Sequence, residues 1–197
     1  MRLIIVRHGE TIENAAKIVQ GQAEGMLNDM GKKQAKRLCD RLLKEPIDVI
    51  YCSDLKRCKD TIAPYLKQRK IPVHYTKALR EVAHGIFEGK PRDELIAWRK
   101  LHEKEKFTIR PPHGESFYDA QHRATTFLSE IYRSEAGKNV LLVTHGGIKL
   151  GLILHLLGKG VDEHAPYKAP NTAVTIFNIS DDKKHHAECI NCVKHLD

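Results

Sequence analysis

Two stretches of this chain, LIIVRHGE at residues 3–10 and LLVTHGGI at residues 141–148, constrain its fold more than any other feature. Each is a run of aliphatic residues that passes almost directly into a histidine and a glycine. A strand that is continuously apolar, rather than alternating, belongs to a sheet covered on both faces, which is the usual condition of parallel strands. In open α/β sheets ligands sit beyond the carboxyl ends of the strands, and His8 and His145 fall there. Glycine after each histidine lets the chain turn sharply and lets backbone approach a ligand. One such histidine is most often incidental; two at equivalent strand ends point to a shared site.

The rest of the chain alternates in the same sense. Residues 2–7 read as a buried strand, and residues 31–45 as a helix with Ala35, Leu38, Cys39, Leu42 and Leu43 on one face. Residues 48–52 form a short strand, followed by a helix over 54–69 that Pro64 is expected to kink or end. Residues 73–76 are strand-like, and 91–105 make a charged helix after Gly89 with Pro91 near its first turn. Ser116, with Asp119 three residues on, caps a helix that carries Phe117, Ala120, Ala124, Phe127, Leu128 and Ile131 on one face. Residues 139–144 are a second very apolar strand, GGIKLGLILHLL is the helix after it, and two strands close the chain. This alternation predicts an α/β fold, a mostly parallel central sheet with helices on both faces. A length of 197 residues suits one domain, with about 84–115, the least regular part, as a substrate-facing flap.

The strand after residue 48 leads into a helix whose first turn holds Arg57, and the one around VHYTKALRE delivers Arg80 and Glu81. One sheet edge thereby collects Arg7, His8, Arg57, Glu81 and His145. Guanidinium forks match phosphate oxygens in pairs. An imidazole can be a nucleophile, and a carboxylic acid can protonate a departing oxygen. This inventory describes phosphoryl transfer without a metal.

Composition narrows the field. The net charge of +8 suits either a nucleic-acid surface or a solvated basic surface that attracts small anions; with neither a basic tail nor interleaved aromatics, the second is favoured and the first is kept as an alternative. No apolar run of about 18 residues exists to span a membrane, and the N-terminal apolar run is far shorter than a secretory h-region of about 7–15, so a cytoplasmic protein is expected. Five cysteines fit poorly with a fully paired disulfide framework. Cys189 and Cys192, near His185, His186 and His195, invite a zinc reading, but in a strand residues three apart face opposite ways, so no metal site is expected there.

The ordered set of motifs resembles the histidine phosphatase superfamily, also called phosphoglycerate mutase-like, over nearly the whole chain. RHGET continued by Asn14, QGQ at 20–22, Leu27 with GKKQA, CSDLKRCKDT, LREVAHGIFEG, HGES, VTHGG and PNTAVT carry the resemblance in order. It implies that His8 is the nucleophile and forms a phosphohistidine, and that Arg7, Arg57 and His145 surround the phosphoryl oxygens with Asn14 adding a donor. Glu81 is implied as the proton donor, and Gln20, Gly21, Arg80 and Gly146 as substrate-binding residues; no metal and no cofactor is implied. Glu10 and Thr11 are expected to cap the following helix, and Glu88 and Gly89 to be structural. His84 is left open between pocket and surface, residues 113–116 are expected to border the substrate, and the remaining histidines to serve packing or surface.

Competing chemistries fail on spacing. Cys52 is followed by four residues before Arg57, one fewer than a cysteine phosphatase needs, and no G-x-S-x-G is present. Gly25 to Lys33 is one residue too long for a P-loop and lacks the hydroxyl. Within the resembled family, the short segment after the last strand is similar to that of the small phosphatases, and phosphoglycerate mutase-type transfer is the alternative. The partner implied is a small phosphorylated metabolite, with neither nucleic acid nor membrane; its identity and the oligomeric state are not legible.

Overall fold

The computed structural model describes residues 1–180 and 185–197. Among the described residues six strands form one sheet: β1 (Arg2–Arg7), β2 (Val49–Ser53), β3 (Val73–Thr76), β4 (Asn139–Thr144), β5 (Val174–Asn178) and β6 (His186–Cys192). Their order is β3-β2-β4-β1-β5-β6. The pairs β1–β4, β2–β4 and β2–β3 are parallel, whereas β5 joins β1 and β6 joins β5 antiparallel. Six α-helices are described: α1 (Ile12–Ala15), α2 (Asp29–Leu42), α3 (Lys56–Leu66), α4 (Arg92–Leu101), α5 (Phe117–Ser134) and α6 (Gly146–Leu156).

Strand alternation sorts the core into two layers. Leu3, Ile5, Val140 and Leu142 pack with Ala124 and Leu128 of α5 and Ile148 and Leu152 of α6. Ile4, Val6, Leu141 and Val143 pack with Leu38 and Leu42 of α2 and Cys58 and Ile62 of α3. Both faces of β1 and β4 are therefore dry, which is why their sequences are continuous aliphatic runs. The two strands lie side by side in register, Arg7 opposite Thr144, so the residues after them, His8 and His145, emerge together.

Several local expectations change. The α2 helix starts earlier than residue 31 because Asn28 caps it, its Oδ1 accepting from Gly31 N at 2.7 Å. Pro64 lies inside α3, which ends two residues later; its missing N–H falls in the last turn, where it costs least. The charged helix ends at Leu101 and gives way to a 3₁₀ turn at Glu103–Glu105. Thr11 caps α1 together with Asn14, but Glu10 does not: its Oε1 accepts from Asn28 Nδ2 at 2.6 Å, and so it serves the cap of α2. Ser116 and Asp119 form the expected capping box at α5.

The argument that separated Cys189 from Cys192 also needs correction. A bulge in β6, with Asn191 at φ 51°, sets Cys189 opposite Ile176 and Cys192 opposite Val174, two residues on the same face of β5.

The segment 84–115 forms a roof beside the carboxyl edge of the sheet. Val19, Phe87 and Leu95 make a small separate apolar cluster with Trp98 against it. Backbone hydrogen bonds fasten this roof to the loop after α1: Val19 N to Lys90 O at 2.9 Å, Gly89 N to Val19 O at 2.8 Å and Arg92 N to Lys17 O at 2.8 Å.

Candidate active site

The carboxyl edge holds a pocket of about 210 Å³ lined by Arg7, His8, Asn14, Gln20, Gly21, Arg57 and Glu81, with Ile18, Val19, His84, Arg92, Leu95, Ile96 and Arg99 above them. His8 extends β1 by donating its backbone N–H to Thr144 O at 2.9 Å. Its Nδ1 lies 2.7 Å from Gly9 O. A carbonyl only accepts, so Nδ1 carries the proton and Nε2 keeps its lone pair. Burial first, then the charges of Arg7 and Arg57, hold this imidazole well below its ordinary 6.5. The ring is therefore neutral at neutral pH, as a nucleophile must be.

Arg57 is 1% exposed and is fixed by three hydrogen bonds: Nε to His145 Nδ1 at 3.1 Å, Nη1 to Ala23 O at 2.8 Å and Nη2 to Gly21 O at 2.7 Å. A guanidinium has five N–H donors, so two remain for an anion in the pocket. Arg7 gives Nη1 to Ala169 O at 2.7 Å, while its Nε is buried with no partner among the described residues. The Asn14 Oδ1 accepts from Thr11 N and from Asn171 Nδ2, each at 3.3 Å, which leaves its own Nδ2 as the group to offer. These donors converge on one region, an arrangement suited to a tetrahedral anion.

Glu81 reaches the same region from the opposite wall. Its Oε1 accepts from Val82 N and from Gly147 N, both at 3.0 Å, and its Oε2 lies 3.1 Å from Gly147 N, in the first turn of α6. A Cβ at 147 would stand 2.6 Å from Glu81 Oε1, so a side chain there would have to shift the carboxylate. Behind it, Arg123 donates to Lys77 O, Ala78 O, Arg80 O and Glu81 O and pairs with Glu115 at 2.6 Å, holding the segment that carries Glu81. In the sequence Gly147 stands within VTHGG with no role given to it, and Arg123 is not singled out, since its long-range carbonyl contacts leave no local motif.

The loop at Gln20 and Gly21 lines the pocket as expected. Gly21 has φ +53° and its Cβ would meet Glu88 Oε1 at 2.0 Å, so the position requires glycine on both counts. Glu88 ties two walls together, its Oε1 accepting from Gln22 N and His84 N, each at 2.9 Å. His84 faces the pocket, not the solvent.

Three expected residues lie elsewhere. Arg80 is turned away and pairs through both Nε and Nη2 with Asp54, at 2.6 and 2.7 Å; in extended chain it points opposite to Glu81. Gly146 does not line the pocket; it lies beside the Arg7 guanidinium, where a Cβ would stand in ordinary contact at 3.4 Å from Arg7 Nε. His145 is fully buried behind the lining, its ring centroid 5.2 Å from that of His8. Both of its nitrogens are taken. Nδ1 accepts from Arg57, so Nε2 carries the proton and donates to Ser53 Oγ at 2.8 Å. Burial first, and then the charge of Arg57 beside it, keeps this ring well below its ordinary value.

A family model described as the histidine phosphatase superfamily (branch 1) matches residues 3–191. A probable phosphatase of Schizosaccharomyces pombe is 32% identical over 207 aligned positions, which cover 100% of this chain and 96% of that one. The metal-independent phosphoserine phosphatase of Arabidopsis thaliana is 34% identical over 194 positions, covering 92% and 77%. The solved structure of YhfR from Bacillus stearothermophilus superposes with a TM-score of 0.90 at 29% identity, over 100% of this chain and 99% of that one.

Proposed function

The chain belongs to the histidine phosphatase superfamily and is a phosphatase, and we propose that it hydrolyses small phosphorylated metabolites through a phosphohistidine on His8. The observation that carries this reading is the Nδ1–H bond of His8 to Gly9 O, which commits Nε2 to the pocket as a lone pair. Nε2 attacks phosphorus, the P–O bond to the alcohol breaks, and Glu81 gives its proton to the departing oxygen. Glu81 then removes a proton from a water molecule, whose oxygen attacks phosphorus, and the P–N bond breaks to release inorganic phosphate and free His8. Arg7, Arg57 and the Asn14 amide bind the three phosphoryl oxygens throughout, supplying the positive charge that a metal supplies elsewhere. His145 acts as a positioning residue, through Arg57 and against the ring of His8.

The whole chain acts as one domain with the segment 84–115 as its substrate-facing flap. The five cysteines are free thiols, which suits a reducing compartment, and we place the protein in the cytoplasm on that basis. Among the described residues no helix is long and apolar enough to cross a membrane. The net charge of +8 attracts anionic metabolites, and the reading needs no nucleic acid.

The test is hydrolysis of p-nitrophenyl phosphate in excess EDTA, by wild type and by His8→Ala. Wild-type turnover and none in the variant are expected, together with an acid-labile phosphoryl label on wild type alone. Comparable turnover by the two, or strict dependence on added magnesium, overturns the mechanism.

A further inference from the structure

The segment GKKQA at residues 31–35 has no part in the chemistry described above. It lies in the first turns of α2, and α2 rests directly on the loop that carries the nucleophile. Two glycines permit this approach. A Cβ on Gly31 would overlap Glu10 O and stand 2.9 Å from Glu10 N, and one on Gly9 would stand 2.8 Å from Gly31 O. Gln34, three residues after Gly31, falls on the same helical face, and its Oε1 accepts from Glu10 N at 2.8 Å. A backbone N–H only donates, so the oxygen of the Gln34 amide, not its nitrogen, faces the loop.

Glu10 N–H and Gly9 C=O are the two ends of one planar, conjugated peptide unit. The Gly9 oxygen is the acceptor of the His8 Nδ1–H at 2.7 Å. Gln34 Oε1, this peptide and the His8 ring therefore form one chain of hydrogen bonds, in which each bond polarises the next. A carbonyl whose own N–H is engaged carries more negative charge. It holds the Nδ1 proton more firmly and leaves Nε2 as the bare nitrogen. The effect grows during the reaction. As phosphorus bonds to Nε2 the ring gains positive charge, and its Nδ1–H becomes a stronger donor. An interaction that is stronger in the transition state than in the ground state raises the rate.

The loop does not depend on Gln34 for its place. His8 N donates to Thr144 O, Gly9 N to the buried Thr61 Oγ1 and Asn171 Nδ2 to His8 O, each at 2.9 Å. We infer that Gln34 is a positioning residue of the hydrolysis, acting on His8 through the Gly9–Glu10 peptide: it fixes the tautomer of the ring and stabilises the phosphohistidine as it forms. This rests on the phosphohistidine reading and adds to it a residue from a helix that lines no part of the pocket.

Three substitutions test this. Gln34→Met and Gln34→Ala remove the acceptor, the first with little change in length, whereas Gln34→Glu keeps an oxygen there. With p-nitrophenyl phosphate, the two acceptor-free variants are expected to lose about three- to tenfold in kcat and in the single-turnover rate of phosphohistidine formation, the range of one neutral hydrogen bond. The inhibition constant of inorganic phosphate, which reads Arg7 and Arg57, should stay as in wild type, and Gln34→Glu should restore most of the rate. In ¹⁵N-labelled protein the ring shifts of His8 should report Nδ1–H in wild type and in Gln34→Glu. In Gln34→Met and Gln34→Ala that proton should move upfield and part of the ring should carry its proton on Nε2. Circular dichroism confirms folding of each variant. Wild-type rates in both acceptor-free variants, an equal loss in Gln34→Glu, or His8 ring shifts that do not move overturn the role of Gln34 while hydrolysis stands. Failure of the acceptor-free variants to fold overturns it as well, by showing that Gln34 serves the fold. Absence of a phosphohistidine in turning-over wild type overturns it together with the mechanism.

Discussion

The floor and the roof of the pocket are built on opposite principles. On the floor, Arg7 and His8 at the end of β1, Arg57 in the first turn of α3 and Glu81 after β3 are held mainly by backbone carbonyls and amides, so their geometry is set before any ligand arrives. In the roof, Arg92 and Arg99 come from about two turns of a single helix and are held by nothing comparable. The floor rests on the main core, whereas the roof rests on a separate cluster of Val19, Phe87, Leu95 and Trp98. The difference separates chemistry from choice: α4 can change sequence without disturbing the sheet that positions the nucleophile.

The comparison can be attacked at several points. The largest effect is expected on the floor, where His8→Ala removes turnover altogether and His145→Ala lowers kcat by about 100- to 1,000-fold, the range for one lost electrostatic contact. Equal losses in steady-state assays would show that His145 touches the phosphoryl group itself. Next comes Gly147→Ala, whose new Cβ must displace the Glu81 carboxylate. Hydrolysis of an alkyl phosphate should fall about tenfold or more, and that of p-nitrophenyl phosphate by less, because its leaving group needs no proton; an identical loss for both substrates contradicts the assignment of Glu81. In the roof, Trp98→Ala should raise KM by about two- to fivefold with kcat little changed, and a fall in kcat of the size seen for the floor would erase the distinction.

The smallest effect is on stability against acid. Above their ordinary value of 6.5 both His8 and His145 are neutral, folded or unfolded, and pH has no leverage through them. As pH falls below 6.5 the unfolded chain binds protons that the buried rings refuse, so stability declines until the depressed folded-state values are reached. The urea midpoint should therefore drop between pH 7 and 5, and less steeply in His8→Gln; an unchanged slope would place the acid sensitivity elsewhere.

The floor was legible in the sequence because a buried parallel strand announces itself as an aliphatic run and its carboxyl end is where ligands bind. That logic found His8 and placed Arg57 and Glu81 beside it. It overreached with Arg80, since adjacent residues in extended chain point to opposite sides and only one of the Arg80–Glu81 pair can face the pocket. It also placed His145 in the wall, when the Arg57 Nε–H claims that ring from behind. The roof was not legible. The spacing of Arg92, Leu95, Ile96 and Arg99 was on view, but a charged helix of this kind more often faces solvent, and only the backbone pairing of residues 17–19 with 89–92 turns that face inward. The bulge at Asn191 was likewise hidden, because one extra residue in an edge strand leaves no periodic trace.

That backbone pairing has a kinetic consequence. A covering element joined by a glycine hinge can swing aside as a unit, but this one is stitched to its neighbour by three amides, Val19, Gly89 and Arg92. Ligand traffic then passes through a fixed mouth, and the cost of admitting a molecule too large for it is the breaking of a small ladder. Deuterium uptake at those three amides would rise and fall together, and slowly, whether or not the cavity is filled.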